Sequence, residues 1–313
     1  MHSYMSALLA ILTTTMLLIT GANNASNSAG TVAGSKVTSY KNGVIIFIIG
    51  IATGTVLEGW KLFNAVQGKT LHGALGTFSL EVVIGVTFAM LILATTLRLP
   101  LPITQALYGA SLGSALFMGM PIDWTNVWSV FLSWMATPIS AMFIAYILTK
   151  TTRKLTFKGV QETIVTYGIL TVGTSFYTAY ALGANTLGLI IGVVGRDLGE
   201  IQTLILAIIA TALGGFLMGE RVARTVGEGM ASLGPATGFS SQFSAALVVH
   251  LFTQLGMPVS ISHSVIGGVL GGGLGKGVHA LGRGFLARLV ILWTLVPGFS
   301  LVMAWIMHGA ILG

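Results

Sequence analysis

The sequence predicts an all-α integral membrane protein: about ten membrane segments in two inverted five-segment repeats, with broken or re-entrant helices at the centre. Three observations predict it. First, only 7% of the 313 residues are charged and 54% are hydrophobic, at a mean hydropathy of +0.90. A soluble domain carries roughly 25% charged residues because its surface faces water, so most of this surface must face lipid. Second, no Asp, Glu, Lys or Arg occurs over Met1–Ser35, Leu99–Ile122, Trp124–Thr149, Thr163–Gly195, Gly229–Gly275 or Leu289–Gly313. Each interval has room for a crossing helix of about 20 apolar residues. These runs lack the in–out alternation of barrel strands, which leaves helices to satisfy the backbone in lipid. Third, stretches of the first half recur in order in the second.

In chain order, the expected segments cover about 4–20, 43–58, 79–97, 101–118 and 125–148, then 162–182, 201–219, 237–255, 259–275 and 286–308. The first, around Met5–Ile19, differs from a secretory signal peptide in lacking a basic leader. A polar run, GANNASNSAGT from Gly21, follows it. Its glycines, asparagines and serines suit a broken helix that lines a site, and equally a polar cap outside the bilayer. Between the fifth and sixth segments lies the densest basic run, Lys150, Arg153, Lys154 and Lys158.

Positive charge concentrates in cytoplasmic loops. Placing that run inside puts twelve basic residues in inner loops (Lys36, Lys41, Arg98, Lys150, Arg153, Lys154, Lys158, Arg221, Arg224, Lys276, Arg283, Arg288) against Lys61, Lys69 and Arg196 outside. Both termini are then extracytoplasmic in a multi-pass cell-membrane protein. Residues 1–150 form the first repeat, 151–161 a basic cytoplasmic linker and 162–313 the second repeat.

The doubling is visible in three ordered matches. Gly21–Ala22–Asn23 recurs as Gly183–Ala184–Asn185, the stretch from Gly54 to Leu62 as Gly214 to Val222, and Pro100 to Gly109 as Pro258 to Gly267. The offsets are 162, 160 and 158 residues. Two successive copies with an odd number of spans sit upside down relative to each other, and such inverted repeats build secondary transporters with the substrate near the midplane. An ancient duplication without transport is the plainer alternative.

Polar groups inside apolar runs point to the site. Pro100 to Thr104 and Pro258 to His263 each place a proline, then hydroxyls, ahead of a glycine-rich helix. Proline opens a helix at its N-terminal end, where free amides and about half a positive charge suit an anion. Two such starts meeting from opposite sides would cradle an oxyanion; kinked packing helices with bonded hydroxyls are the alternative. The Gly271–Gly277 run resembles a phosphate loop but has Leu270 in place of the first glycine and Gly277 in place of Ser/Thr. His250 and His263 are 13 apart and no cysteine exists, so metal spacing is absent. There is no nucleophile–base constellation for an enzyme, and the +7 charge is scattered between spans instead of forming a nucleic-acid face. Of the acids, Glu58 and Glu81 lie at span ends and are candidates for coupling.

At these residues the chain resembles the inorganic phosphate transporter (PiT) family. GANNASNS from Gly21 and GANTLGL from Gly183 are similar to its GANDVAN-like motifs, and PLPITQ from Pro100 and PVSISH from Pro258 to its PVSTTH-like motifs. Gly219 to Gly227 and Gly238 to Ala246 also match family segments in order. The resemblance implies sodium- or proton-coupled symport of inorganic phosphate, with sulfate or another oxyanion as the alternative substrate and a passive anion channel as the alternative mode. It implies substrate contacts at Asn23, Thr104, Gln105, Asn185, Ser260, Ser262 and His263, and coupling-ion or supporting roles at Asn24, Asn27, Ser28, Thr186 and Gln242. It implies no cofactor beyond Na+ or H+, with phosphate, lipid and a second copy in a homodimer as partners. The chain departs from the family pattern in having Asn24 and Thr186 for aspartate, Ile51 and Gln242 for glutamate, and Gln105 for the first-half histidine. These neutral residues keep oxygen ligands and lose the charge that most favours a cation.

Overall fold

The computed structural model describes residues 2–34, 37–96, 102–152, 159–231, 234–278 and 282–312. These form α1 (His2–Gly34), α2 (Tyr40–Glu58), α3 (Thr77–Thr96), α4 (Ile103–Phe117), α5 (Trp124–Thr152), α6 (Val160–Leu182), α7 (Gly188–Leu198), α8 (Glu200–Ala231), α9 (Pro235–Gln254), α10 (Ile261–Lys276) and α11 (Arg283–Leu312). A 3-10 turn, Gly59–Leu62, extends α2, and a π turn, Gly183–Leu187, joins α6 to α7. Among the described residues the sole β feature is an isolated antiparallel bridge between Leu71 and Ile122.

Every expected segment contains a helix, and among the described residues six helices are long and apolar enough to cross a membrane: Ala7–Ala33, Tyr40–Leu62, Trp124–Thr152, Gln161–Leu198, Glu200–Glu220 and Leu286–Leu312. Helix α4 has 15 residues and α10 has 16. At 1.5 Å per residue they reach about 22–24 Å, short of the roughly 30 Å hydrocarbon core. Six of the ten expected membrane segments thus contain a helix long and apolar enough to cross by itself, because hydropathy alone does not separate a short buried helix from a spanning one. Pro100 and the basic run Arg153–Lys158 lie outside the described residues.

Two boundaries also move. α1 continues through the polar run to Gly34 instead of stopping near residue 20. Its polar side chains bond within the helix: Asn24 Nδ2 donates to the Thr20 carbonyl at 2.9 Å and Ser26 Oγ to the Asn23 carbonyl at 2.6 Å. Bonds of this kind meet a buried side chain's needs without breaking the backbone ladder. Likewise the helical stretch does not end at 182; the chain passes through the π turn into α7, and Gln161–Leu198 runs 38 residues against the 33 of α1. Helix α4 begins after Pro102, which is extended (φ −77°, ψ 90°), and α10 stops where Gly277 adopts a left-handed φ of 87°.

Helices pack in corresponding pairs. α1 lies against α8 and α2 against α6, α4 against α11 and α10 against α5, α3 against α4 and α9 against α10. The close approaches correspond too. A Cβ on Gly109 would collide with the Pro297 carbonyl oxygen and one on Gly267 with that of Pro138; Gly54 meets the Tyr180 carbonyl and Gly214 that of Leu18. α5 turns Leu132, Met135, Ile139 and Phe143 outward, each more than half exposed, as lipid-facing side chains are. We expect Gly267→Ala to lose about 1–3 kcal/mol by overpacking, read as a lower melting temperature in detergent. Gly298→Ala, with open space around its Cβ, should leave that temperature unchanged.

Candidate functional site

The second-half Gly–Ala–Asn falls in the π turn, where Gly183 lets the α2 backbone at Ile51 come close. Asn185 is fully buried and uses its whole amide. Its Nδ2 donates to Thr253 Oγ1 at 2.9 Å and to the Met257 carbonyl at 3.0 Å, and its Oδ1 accepts from the Val259 amide at 3.1 Å. One side chain thus clamps the loop between α9 and α10. Trp134 Nε1 holds the same loop by donating to the Pro258 carbonyl at 2.7 Å. Ser260 then caps α10, its Oγ accepting from the His263 amide at 3.4 Å, and Ser262 is buried in the first turn.

His263 is almost wholly buried and its ring lies 3.8 Å from that of Trp293 on α11. Neither of its nitrogens makes a hydrogen bond of good geometry; the Trp134 backbone is beside it. Pro138, four residues beyond Trp134, cannot supply the helical N–H that the Trp134 carbonyl would otherwise receive. In the first half, Thr104 and Gln105 occupy the first turn of α4, buried, with Thr104 Oγ1 and Gln105 Oε1 unbonded. Trp134 also packs edge-on to Tyr108, one turn further along α4, at 5.6 Å between ring centroids. A single side chain therefore touches both the second turn of α4 and the segment that leads into α10. Buried polar groups are normally bonded, and these two first turns carry three buried side chains, Thr104, Gln105 and His263, with polar atoms that lack a well-placed partner.

The remaining candidates form a second neutral network. Asn27 Nδ2 donates to Asn24 Oδ1 at 3.3 Å, Gln242 Nε2 to the Asn27 carbonyl at 2.9 Å, and Thr174 Oγ1 to Gln242 Oε1 at 3.1 Å. Ser28 Oγ bonds the Ser175 hydroxyl and its carbonyl, both at 2.8 Å. These bonds stitch α1 to α6 and α9. Thr186 is buried in the π turn, and Asn23, in the position on α1 that matches Asn185, is half-buried. By the repeat offsets, the partner matching Val259 would be Leu101, which lies outside the described residues. Among the described residues no group of three His, Cys, Asp or Glu is placed to hold a metal.

Two features escaped the sequence reading. Trp134 and Trp293 both flank the helix starts; each precedes a proline by four residues, and they are separated by nearly the repeat offset, a signal that was available. The other is the set of partners around Glu58, an acid the sequence offers for coupling without its neighbours. Its Oε2 accepts from Gln254 Nε2 at 2.7 Å and lies 2.9 Å from His250 Nε2, while Lys61 Nζ is 3.4 Å from Oε1. His250 and Gln254 are one turn apart on α9, so helical spacing marked them as a shared face.

The profile of the phosphate transporter family matches residues 20–304. A candidate phosphate permease of Methanocaldococcus jannaschii is 30% identical over 297 residues, 94% of this chain and 93% of its own. One of Haemophilus influenzae is 25% identical, covering 92% of this chain and 93% of its own. A solved structure described as the sodium-dependent phosphate transporter shares the fold at a TM-score of 0.83, with 98% of both chains covered and 19% identity. With an all-helical membrane architecture and a profile match across nearly its whole length, the chain belongs to the phosphate transporter family.

Proposed function

We propose that the protein is a secondary transporter of inorganic phosphate, driven by a cation gradient and working by alternating access. The observation that carries it is the pair of related helix starts, at Thr104–Gln105 and Ser260–His263, whose buried side chains include Thr104, Gln105 and His263 with polar atoms left unbonded. Amide-rich helix starts and hydroxyls hold an oxyanion without a full positive charge. In this reading Asn23, Thr104, Gln105, Asn185, Ser260, Ser262 and His263 contact or position the anion. Asn24, Asn27, Ser28, Thr186 and Gln242 brace the site with neutral oxygens.

We read residues 1–150 and 162–313 as inverted repeats joined by a cytoplasmic linker, with both termini outside. The corresponding glycine contacts of the two halves support that reading. We also read α3–α4 and α9–α10 as re-entrant hairpins, which their short second helices support. The bridge at Leu71–Ile122 supports α3–α4 starting and ending on one membrane face.

The test is uptake of labelled phosphate or sulfate into liposomes under an imposed sodium or proton gradient. Phosphate should accumulate above its external concentration only with a cation gradient, and excess sulfate should not compete. Sulfate accumulation would reassign the substrate within the same mechanism. Voltage-dependent flux that never concentrates the anion would replace a transporter with a passive channel.

A further inference from the structure

The residues at the two helix starts are neutral, whereas a charged cluster lies at the end of α2 around Glu58. Glu58 ends α2 and is surrounded from every element packed on it. From its own end of the chain comes Lys61, whose Nζ also bonds Gln254 Oε1. From α9 come His250 and Gln254, and from α6 come Tyr177 and Tyr180. The other cation nearby, Lys69, donates to the Leu255 carbonyl at 3.4 Å. His250 sits between two partners: Nε2 faces Glu58 at 2.9 Å and Nδ1 faces the Tyr177 hydroxyl at 2.7 Å. The His250 and Glu58 side chains are 25% and 19% exposed, so neither is sealed inside the protein. His250 thus bridges a carboxylate and a phenol, with one side of the pair open.

This pair is wired to the anion site through one turn of α9. Thr253, three residues after His250, receives the Asn185 amide, and Asn185 holds Val259 at the entrance to α10. A shift of the α9 end when the proton comes or goes therefore displaces the clamp that aims the α10 amides.

We propose that Glu58 and His250 form the proton-binding site that couples this transporter to its gradient, a deepening that rests on the phosphate-transport reading above. A proton from the solution on the Lys61 side joins the imidazole–carboxylate pair, making an imidazolium that donates from Nε2 to Glu58 and from Nδ1 to Tyr177. That state fastens the α9–α10 loop to the end of α2. Loss of the proton to the other side frees the loop, and nothing is oxidised or reduced in the cycle. Net movement of phosphate then requires the proton, whereas one-for-one phosphate exchange does not.

The experiment compares wild type, Glu58→Gln and His250→Gln in liposomes, with folding checked by thermal unfolding in detergent. Uptake driven by a proton gradient should fall at least about 10-fold in each folded variant, since each loses a hydrogen bond to a charged group. The pH profile of uptake should flatten, and phosphate/phosphate exchange should persist. Gradient-driven uptake with the wild-type pH profile in both variants overturns the proposal. So does loss of exchange along with uptake in both folded variants, which would mark the pair as structural, and so does wild-type uptake that follows a sodium gradient and ignores a proton gradient. Absence of any phosphate exchange in the wild type would instead defeat the transport reading itself.

Discussion

Asn185→Ala is expected to cut phosphate uptake by at least about 30-fold while the protein still inserts and folds. The substitution removes three bonds at once and strands the Val259 amide and the Met257 carbonyl in the interior. Each stranded group costs about 1–3 kcal/mol. The loop relieves that cost most cheaply by moving, which spoils the aim of the α10 start; at 1.4 kcal/mol per factor of ten, a loss of about 2 kcal/mol gives the stated fold-change. Initial-rate uptake and phosphate binding by calorimetry both read the effect. Wild-type affinity in a folded Asn185→Ala protein would show that the clamp does not serve the anion.

Thr104→Val tests the other helix start, and the expected signature is a split between stability and binding. Thr104 is buried and its hydroxyl has no hydrogen-bond partner in the protein. Valine has nearly the same shape, so the melting temperature should hold or rise slightly, because an unmet polar group is removed. Phosphate affinity should weaken about 10- to 150-fold, the range of a hydrogen bond to a charged ligand converted by the same constant. A structural hydroxyl would give the opposite split, with lost stability and unchanged affinity.

Composition and the charge-free intervals made the membrane class legible, and all the expected segments contain helices. What they did not reveal was which helices cross. α4 and α10 are apolar enough to look like spans, yet they are short and almost entirely covered by neighbours. Burial against protein and burial against lipid select the same residue types. The first boundary failed for a different reason. Asn24, Ser26 and Asn27 look like helix breakers in isolation, but here they bond backward along α1 or across to each other and to α9. Residues at the two helix starts were legible because proline and hydroxyl placement is a local signal. Their long-range partners were not: the bond from Asn185 to Val259 spans 74 residues, and that from His250 to Glu58 spans 192.

The seams described above have an implication for how the chain is made. Gly54 and Gly109 of the early half fit only against Tyr180 and Pro297 of the late half, so the part that leaves the ribosome first has no complete groove to settle into. Its Gly54 notch is filled only once α6 has been made, and its Gly109 notch only once α11 has.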